Sequence, residues 1–195
     1  MLEKGRTCAV HPIRKKRDIQ AIKKLLNDNK RDLAIFTLGI NSALRASDLL
    51  RIRYVDVKDL KPGQSFQIKE KKTGKSRLVT LNKNSYEALN GYLKVRIKTP
   101  DDPDIPLFLS QKGPYKGLTV AAVHRKIKTW CQMINLPGNY GSHSLRKTFG
   151  YHQRVSFKVD IPTLMICFNH SSQRQTLTYL GIDDKEVTSV FMNNI

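Results

Sequence analysis

The segment from 65 to 81 limits the possible folds most, because it holds two β-type runs around a tight turn. SFQIKE and SRLVTL are separated by KKTGK, whose Thr-Gly pair suits such a turn. Between 119 and 135 the apolar residues instead recur every three or four positions, as in an amphipathic helix. The sequence therefore predicts an α+β fold that is mainly α, with a small antiparallel β-sheet near its N-terminal third.

Helices are predicted on both sides of this hairpin. One opens at the basic run 14–18, and another is capped by Asn82. The remaining predicted helices cover 32–40, a restart near Ser47, 119–135, 143–155, a buried segment at 160–168 after Pro162, and a short stretch from 185 to 195. The helical spacing also places Tyr92 and Trp130 in the core.

A chain of 195 residues is long enough for one sizeable core. We predict a single domain over 1–195, with a lead-in at 1–13 and a helical tail at 183–195. No apolar run approaches the roughly 18 residues of a membrane span, and no secretory signal precedes the basic run. We expect a cytoplasmic protein without membrane contact, and its cysteines, Cys8, Cys131 and Cys167, are expected to be reduced thiols.

The charge of the chain indicates its partner. Thirty-five Lys and Arg residues against 16 Asp and Glu give a net charge of +19. Such an excess concentrates polyanions and speeds association with them, so nucleic acid is the first candidate and an anionic membrane surface the second.

Metal and nucleotide sites are not expected. The histidines belong to no HExxH motif and stand beside neither paired cysteines nor an acidic cluster. The GKS at 74–76 resembles the end of a phosphate-binding loop, but Lys69 stands where the first glycine of that motif would fall. We therefore predict a chemistry that needs no cofactor.

The remaining polar residues suit attack on a phosphodiester. Tyrosine has a pKa near 10, so as a nucleophile it depends on charge stabilisation at the phosphate. Arg45 and Arg146 could each hold non-bridging oxygens through a planar fork as the pentavalent state forms. A lysine or a histidine must then protonate the departing sugar oxygen. Among the seven tyrosines, Tyr179 is the one that follows a histidine, His170, by nine positions.

Four segments, in this order, resemble the motifs of the tyrosine recombinases, the phage-type integrases. ALRASDLL is similar to the GLRxSEL box, KKTGKSRLVTL to the lysine-bearing β-hairpin, HSLRKTF to the HxLRHTF box and NHSSQRQTLTY to the last box. The resemblance covers 14–182 and implies the tyrosine recombinase catalytic-domain fold, with Asp48 where the family has an acid. The catalytic residues that it implies are Arg45, Lys72, His143, Arg146, His170 and Tyr179, with Lys75 as the less favoured lysine.

The resemblance also implies a mechanism. Tyr179 would attack a DNA phosphate, leaving a 3′-phosphotyrosine and a free 5′-hydroxyl, and a 5′-hydroxyl of a partner strand would attack in turn. Lys72 would protonate the leaving oxygen, while His143 and His170 would orient the phosphate and assist proton movement. Neither ATP nor a divalent ion is required. We expect a site-specific recombinase or integrase of a mobile element that assembles on double-stranded DNA as a dimer to tetramer, associated with the nucleoid.

The sequence departs from the family pattern at two places, and its tail raises a separate hypothesis. Only some forty residues precede Arg45, so we expect either a fragment or a minimal recombinase without the core-binding domain. Asn169 replaces a glycine, and asparagine tolerates left-handed backbone. In the tail, Val187, Val190 and Phe191 form an apolar stripe that docks either on a neighbouring protomer or in cis.

Two other functions stay open at this point. One is DNA relaxation in the manner of type IB topoisomerases, which use the same covalent chemistry without pairing two duplexes. The other is a DNA-binding accessory protein that keeps the fold without turnover, against which the complete set of candidate residues argues. The remaining histidines, His11, His124 and His152, are expected to be structural or exposed to solvent.

Overall fold

The computed structural model describes residues 10–96, 105–113, 115–180, 188 and 191–192. Within these ranges the chain forms eight α-helices and two β-strands. They are α1 (Lys16–Leu25), α2 (Lys30–Gly39), α3 (Ala46–Leu49), β1 (Ser65–Lys69), β2 (Ser76–Thr80), α4 (Lys83–Val95), α5 (Val120–Met133), α6 (Ser142–Val155), α7 (Ile161–Phe168) and α8 (Gln173–Leu180). This composition confirms the predicted mainly α fold with a small antiparallel sheet.

Side-chain caps fix where several helices begin. The Asn82 side chain accepts a hydrogen bond from the backbone N–H of Ser85 at 2.9 Å, which confirms the predicted cap of α4. In the same way Thr119 accepts from the N–H of Ala122 at 3.2 Å at the start of α5. Each cap satisfies one of the backbone donors that a helix leaves open at its first turn.

The predicted hairpin is confirmed in its position and its pairing. β1 and β2 are antiparallel, with Ser65 opposite Thr80 and Phe66 opposite Val79. Phe66 and Val79 are buried, so one face of the hairpin lies on the core. Gly74 supplies a φ of +67° in the turn, a conformation that a side chain would disfavour.

Aromatic pairs join the helices of the main core. Trp130 of α5 packs edge-on against Phe36 of α2 with 6.1 Å between ring centroids. Tyr92 of α4 stacks on Phe108 at 5.8 Å. All four side chains are buried, as the sequence predicted for Trp130 and Tyr92, and each contributes about 1.5–3 kcal/mol by leaving water.

A second, smaller core lies between α6, α7 and α8. Its buried members are Ala43, Leu164, Phe168 and Leu180, and the partly buried Tyr179 packs against them. This cluster joins the end of α7 to the loop before α3, so residues far apart in sequence meet around it.

The prediction of a buried helix at 160–168 is wrong for most of its residues. α7 forms, and Asp160 caps it by accepting from the N–H of Thr163 at 2.6 Å. Only Leu164 and Phe168 are buried in α7, because residues four positions apart share a single face. Ile166 on another face is 77% exposed.

Other expectations concern cysteines and the tail. Cys131 and Cys167 are free thiols, and burial raises the pKa of Cys131 to about 12. Cys8, Val187 and Val190 lie outside the described residues, whereas Phe191 is 83% exposed. Of the helices that the structure describes, none combines the length and the apolar character that a bilayer crossing requires.

Candidate active site

Arg146 lies at the centre of the candidate site. It belongs to α6 and is only 2% exposed. Its guanidinium donates hydrogen bonds of 2.6 Å to the backbone carbonyl of Ala43 and of 2.6 Å to that of Phe168. Burial lowers the pKa of Arg146 to about 10, so the side chain still carries its charge at neutral pH. A buried cation thus joins the loop before α3 to the end of α7.

The loop before α3 is held in an unusual conformation by arginines. Ala43 has a φ of +53°, a left-handed conformation that costs energy for a residue with a Cβ. Its carbonyl accepts from Arg146 and also from Arg77 of β2, at 3.3 Å. Because this loop leads directly to Arg45, its conformation determines the position of that second candidate arginine.

Arg45 is bound by buried carboxylates. Its guanidinium donates to Glu70 at 2.9 Å and lies 3.9 Å from Asp48, and neither carboxylate side chain is exposed to solvent. Asp48 also accepts from the backbone N–H of Lys71 at 2.9 Å. Arg45 is therefore fixed to the end of β1 and to the turn that follows it.

Tyr179 of α8 lies in an aromatic and cationic environment. Its ring centroid is 5.2 Å from that of Phe168 and 5.4 Å from that of His170. The Arg146 guanidinium lies 5.8 Å from the ring centroid, and the Lys147 ammonium lies 5.4 Å from it. The ring of Tyr179 is therefore in contact with two aromatic rings and two cationic groups.

The hydroxyl of Tyr179 is buried. Burial raises the pKa of Tyr179 to about 12, against the opposing effects of the charge of Arg146, of a polar contact between the Arg146 guanidinium and the hydroxyl, and of the charge of Arg45. Within the described part of the chain the phenol oxygen has no hydrogen-bond partner of normal geometry. The phenol is thus protonated and enclosed in this conformation.

His170 contacts Tyr179 and is under the electrostatic influence of Arg146 and Arg45. Its ring stacks on Phe168 at 5.1 Å, and its Nδ1 shares a hydrogen bond of 3.0 Å with the Thr176 hydroxyl. Burial, together with the charges of Arg146 and Arg45, lowers the pKa of His170 to about 4. The ring is therefore neutral at pH 7. Asn169 before it adopts a φ of +55°, the left-handed geometry expected of the residue that replaces a glycine.

His143 lies in the first turn of α6 and is exposed. Partial burial is the main cause that lowers the pKa of His143, and the charges of Arg146 and Arg45 lower it further. This side chain is therefore under the influence of the same two cations as His170. Of the histidines expected to be structural, His124 accepts a 3.4 Å hydrogen bond from the N–H of Ser142, beside His143.

Lys72 is placed differently from the other candidates. It is exposed in the turn between β1 and β2, as is Lys75, and no hydrogen bond or ion pair joins either ammonium to another described residue. The turn itself is close to the site, because Glu70 and Lys71 at its start contact Arg45 and Asp48. The structure thus brings Arg45, His143, Arg146, His170 and Tyr179 together and leaves the lysine on the adjoining turn.

The motif resemblance did not indicate three side chains that take part in the candidate site: Glu70, Arg77 and Lys147. The alternation of buried and exposed residues along β1 could have indicated Glu70. Phe66 and Ile68 face the core, and Glu70, two positions later, does the same. A carboxylate on a buried face needs a cationic partner. Arg45 and Arg77 supply it.

The side chains around Tyr179 do not form a metal site. No group of three or more His, Cys, Asp or Glu side chains within the described ranges is arranged to hold a metal ion. The neighbours of the phenol are instead cationic or neutral, and such a site suits an oxyanion such as a phosphate.

Comparison with known proteins gives a consistent result. The model of the phage integrase family matches residues 6–186. The "Probable integrase/recombinase YoeC" of Bacillus subtilis (strain 168) is 33% identical over 183 residues, which cover 93% of this chain and 95% of that protein. Tyrosine recombinase XerC of Caldanaerobacter subterraneus subsp. tengcongensis is 33% identical over 199 residues, which cover 99% of this chain and 54% of XerC.

Solved structures show the same fold. The crystal structure of the XerA recombinase matches with a TM-score of 0.76 at 20% identity, covering 95% of this chain and 66% of that one. The XerH site-specific recombinase, in a post-cleavage complex with a palindromic difH substrate, matches with a TM-score of 0.74 at 20% identity, covering 99% of this chain and 56% of that one. The chain therefore spans almost all of YoeC but only about half to two thirds of the Xer proteins.

Proposed function

The chain belongs to the phage integrase family, whose members are DNA strand-transferring enzymes, and from this premise we propose that it is a site-specific DNA recombinase. It cleaves and rejoins DNA through a 3′-phosphotyrosine intermediate at Tyr179. One observation supports this most directly: the ring of Tyr179 lies 5.8 Å from the guanidinium of Arg146 and 5.4 Å from the ring of His170. We further propose that the matched region forms a single catalytic domain.

The proposed chemistry exchanges one phosphodiester for another. The Tyr179 oxygen attacks phosphorus and the bond to the 5′-oxygen breaks. The phenol proton passes to a neighbouring proton acceptor of the protein or to water. Arg45 and Arg146 neutralise the charge that develops on the non-bridging oxygens. Lys72 donates a proton to the departing 5′-oxygen, and a 5′-hydroxyl later reverses the reaction by attacking the phosphotyrosine.

The histidines act without charge in this proposal. His170, with its pKa near 4, is neutral at physiological pH and holds or accepts a proton rather than repelling the arginines. His143, whose pKa is also lowered, is suited to the same role from the start of α6. A neutral imidazole can both donate to a phosphate oxygen and accept a proton from a hydroxyl.

The conformation of Tyr179 requires a rearrangement before attack. Its hydroxyl is buried, and Arg146 uses donors on the carbonyls of Ala43 and Phe168. We propose that DNA binding releases the phenol, because a phosphate between the arginines offers charged acceptors that are stronger than neutral carbonyls. The opening would lower the pKa of the phenol by restoring water to it.

Double-stranded DNA is the proposed partner. The net charge of +19 favours contacts with the phosphate backbone, so affinity should fall steeply as salt increases. Exchange between two duplexes requires several cleaving tyrosines, so we propose that copies of the chain assemble as dimers to tetramers on DNA. The protein would then act on the nucleoid, in the cytoplasm.

A trapping experiment on randomised DNA tests this function and selects the target site at the same time. Duplexes carry a 5′-bridging phosphorothiolate at one position, surrounded by randomised sequence, so that cleavage releases a thiol that does not rejoin the strand. Covalent protein–DNA adducts are isolated under denaturing conditions and sequenced. We expect adducts with the wild type and with the control Tyr151→Phe, and none with Tyr179→Phe.

The recovered sequences then distinguish the alternatives. Duplexes built on the selected site, with ordinary phosphodiesters, are incubated in pairs and exchange of strands between them is measured. Exchange supports the recombinase. Adducts with relaxation of supercoiled DNA but without exchange would favour topoisomerase-like activity, and DNA binding without any adduct would favour an accessory protein.

A further inference from the structure

Glu70 is a buried carboxylate directly after β1, and the hydrogen bonds that it accepts come from three side chains of different elements or turns. The residue is 1% exposed. Its Oε2 accepts from the Arg45 guanidinium and from the Thr73 hydroxyl, both at 2.9 Å, and its Oε1 accepts from Arg77 at 3.4 Å. Burying a carboxylate is unfavourable unless charged and polar partners compensate it, and these three partners do so.

The same residue organises the turn that bears Lys72. The carbonyl of Glu70 accepts from the N–H of Gly74 at 2.9 Å, and its own N–H donates to the carbonyl of Lys75 at 2.9 Å. The Thr73 hydroxyl binds its carboxylate from within the turn. The three residues that follow Lys72 are therefore tied to Glu70, which itself stands two positions before the lysine, although the Lys72 side chain is exposed.

A second carboxylate makes the connection to Arg45 rigid. Asp48 accepts from the N–H of Lys71 at 2.9 Å and lies 3.9 Å from Arg45. Burial alone would raise the pKa of Glu70, but the hydrogen bonds from Thr73 and Arg45 and the charge of Arg45 lower it below its ordinary value. Glu70 is thus ionised at neutral pH and holds its partners by charge.

We propose that Glu70 is a positioning residue that sets the Lys72 turn against Arg45, so that the lysine ammonium reaches the leaving 5′-oxygen of the phosphate that Arg45 holds. The proposal rests on the proposed function. Glu70 touches neither DNA nor the reacting atoms; it acts through the turn and through Arg45. Loss of its charge should therefore affect proton donation to the leaving group more than attack by Tyr179.

Two substrates of the selected sequence separate these effects. In the ordinary substrate the leaving group is an alkoxide, which needs a proton. In the 5′-phosphorothiolate it is a thiolate, a far weaker base that leaves without one, as the pKa of about 8.5 of the cysteine thiol illustrates. Single-turnover rates of adduct formation are measured on both for the wild type, Glu70→Gln, Lys72→Ala and Glu87→Gln. Glu87 is an exposed acid on α4, so its variant controls for the loss of one negative charge.

We expect Glu70→Gln to slow cleavage of the ordinary substrate by about 10- to 100-fold and cleavage of the phosphorothiolate by less than about 5-fold. Lys72→Ala should show the same pattern, and Glu87→Gln should stay within about 2-fold on both substrates. Equal slowing of both substrates by Glu70→Gln, or no slowing of either, would overturn the positioning role.

A second variant covers the case in which Glu70→Gln does not fold. Thr73 is exposed, and Thr73→Val removes the hydroxyl that joins the turn to Glu70 while it leaves the pair with Arg45 intact. We expect a smaller loss, about 3- to 10-fold, again confined to the ordinary substrate. Identical rates for Thr73→Val and the wild type would contradict the proposal. A wild type without any Tyr179-dependent adduct would instead overturn the proposed function, and this role with it.

Discussion

The guanidinium of Arg146 lies 5.8 Å from the centre of the Tyr179 ring, and the hydroxyl of that tyrosine is buried without a partner of normal hydrogen-bond geometry in the described part of the chain. Cation and ring attract each other, but the contact between Arg146 and the hydroxyl lacks the geometry of a normal hydrogen bond. In this conformation the buried hydroxyl of Tyr179 lowers the stability of the fold, and the loss of stability can be measured.

Tyr179→Phe should stabilise the protein while it abolishes adduct formation. Removing a buried hydroxyl without a hydrogen bond relieves its desolvation, so we expect the free energy of unfolding to rise by about 1 kcal/mol at pH 7. The tyrosine of the unfolded chain ionises near pH 10, whereas Tyr179 in the folded protein ionises only near pH 12, so the wild type loses stability as pH rises above about 10. The difference in stability between Tyr179→Phe and the wild type should therefore widen above this pH. Urea unfolding followed by circular dichroism measures both.

Tyr140→Phe is the matched control for this change. Tyr140 is also largely buried, but its hydroxyl donates to the carbonyl of Pro137 at 3.3 Å. We expect this variant to lose about 0.5–1.5 kcal/mol. If Tyr179→Phe were destabilised as much as Tyr140→Phe, the Tyr179 hydroxyl would have to be hydrogen bonded in solution.

Arg146→Lys should weaken the fold as well as the chemistry. A lysine cannot reach both the Ala43 and the Phe168 carbonyls with the geometry of a guanidinium, so at least one buried acceptor loses its charged donor. We expect a loss of about 2–3 kcal/mol in urea unfolding and no detectable adduct. Arg154→Lys, at an exposed position of the same helix, should change stability by less than about 0.5 kcal/mol. Equal stability of the two variants would show that the carbonyl contacts do not form.

Local sequence patterns predicted the elements that carry the site, but long-range contacts decided how its side chains are used. The caps and the alternation around the Thr-Gly turn are local, so Asn82 and the hairpin followed from sequence. The partners of Glu70 lie 25 residues away at Arg45 and seven away at Arg77, a pairing that no local period reveals.

α7 and Tyr179 illustrate the same limit. The composition of 160–168 indicates burial, yet only Leu164 and Phe168 of α7 are buried. The motif resemblance supplied the candidate Tyr179, whereas its enclosed hydroxyl depends on Arg146 and the ring of Phe168, which packing alone brings to it.

Gly150→Ala should disturb the helix that bears Tyr179. A Cβ at Gly150 of α6 would lie 2.6 Å from Leu180 of α8 and 2.6 Å from Phe168, within the smaller core. We expect a loss of about 1–3 kcal/mol from overpacking and slower adduct formation, because α8 must shift to make room. Gly91→Ala in α4 meets nothing within 4 Å and should gain about 0.5–1 kcal/mol from helix propensity. Similar stability changes for both glycines would contradict this packing.

The lowered pKa of His170 predicts a loss of stability on acidification. The unfolded chain binds a proton near pH 6.5 but the folded protein only near pH 4, so stability falls as pH drops between these values. From pH 7 to pH 5 this group should remove no more than about 2 kcal/mol from the free energy of unfolding. His170→Gln should therefore show a shallower decline in urea unfolding at the two pH values. If the decline of His170→Gln matched that of the wild type, burial and the arginines would not be suppressing protonation of His170.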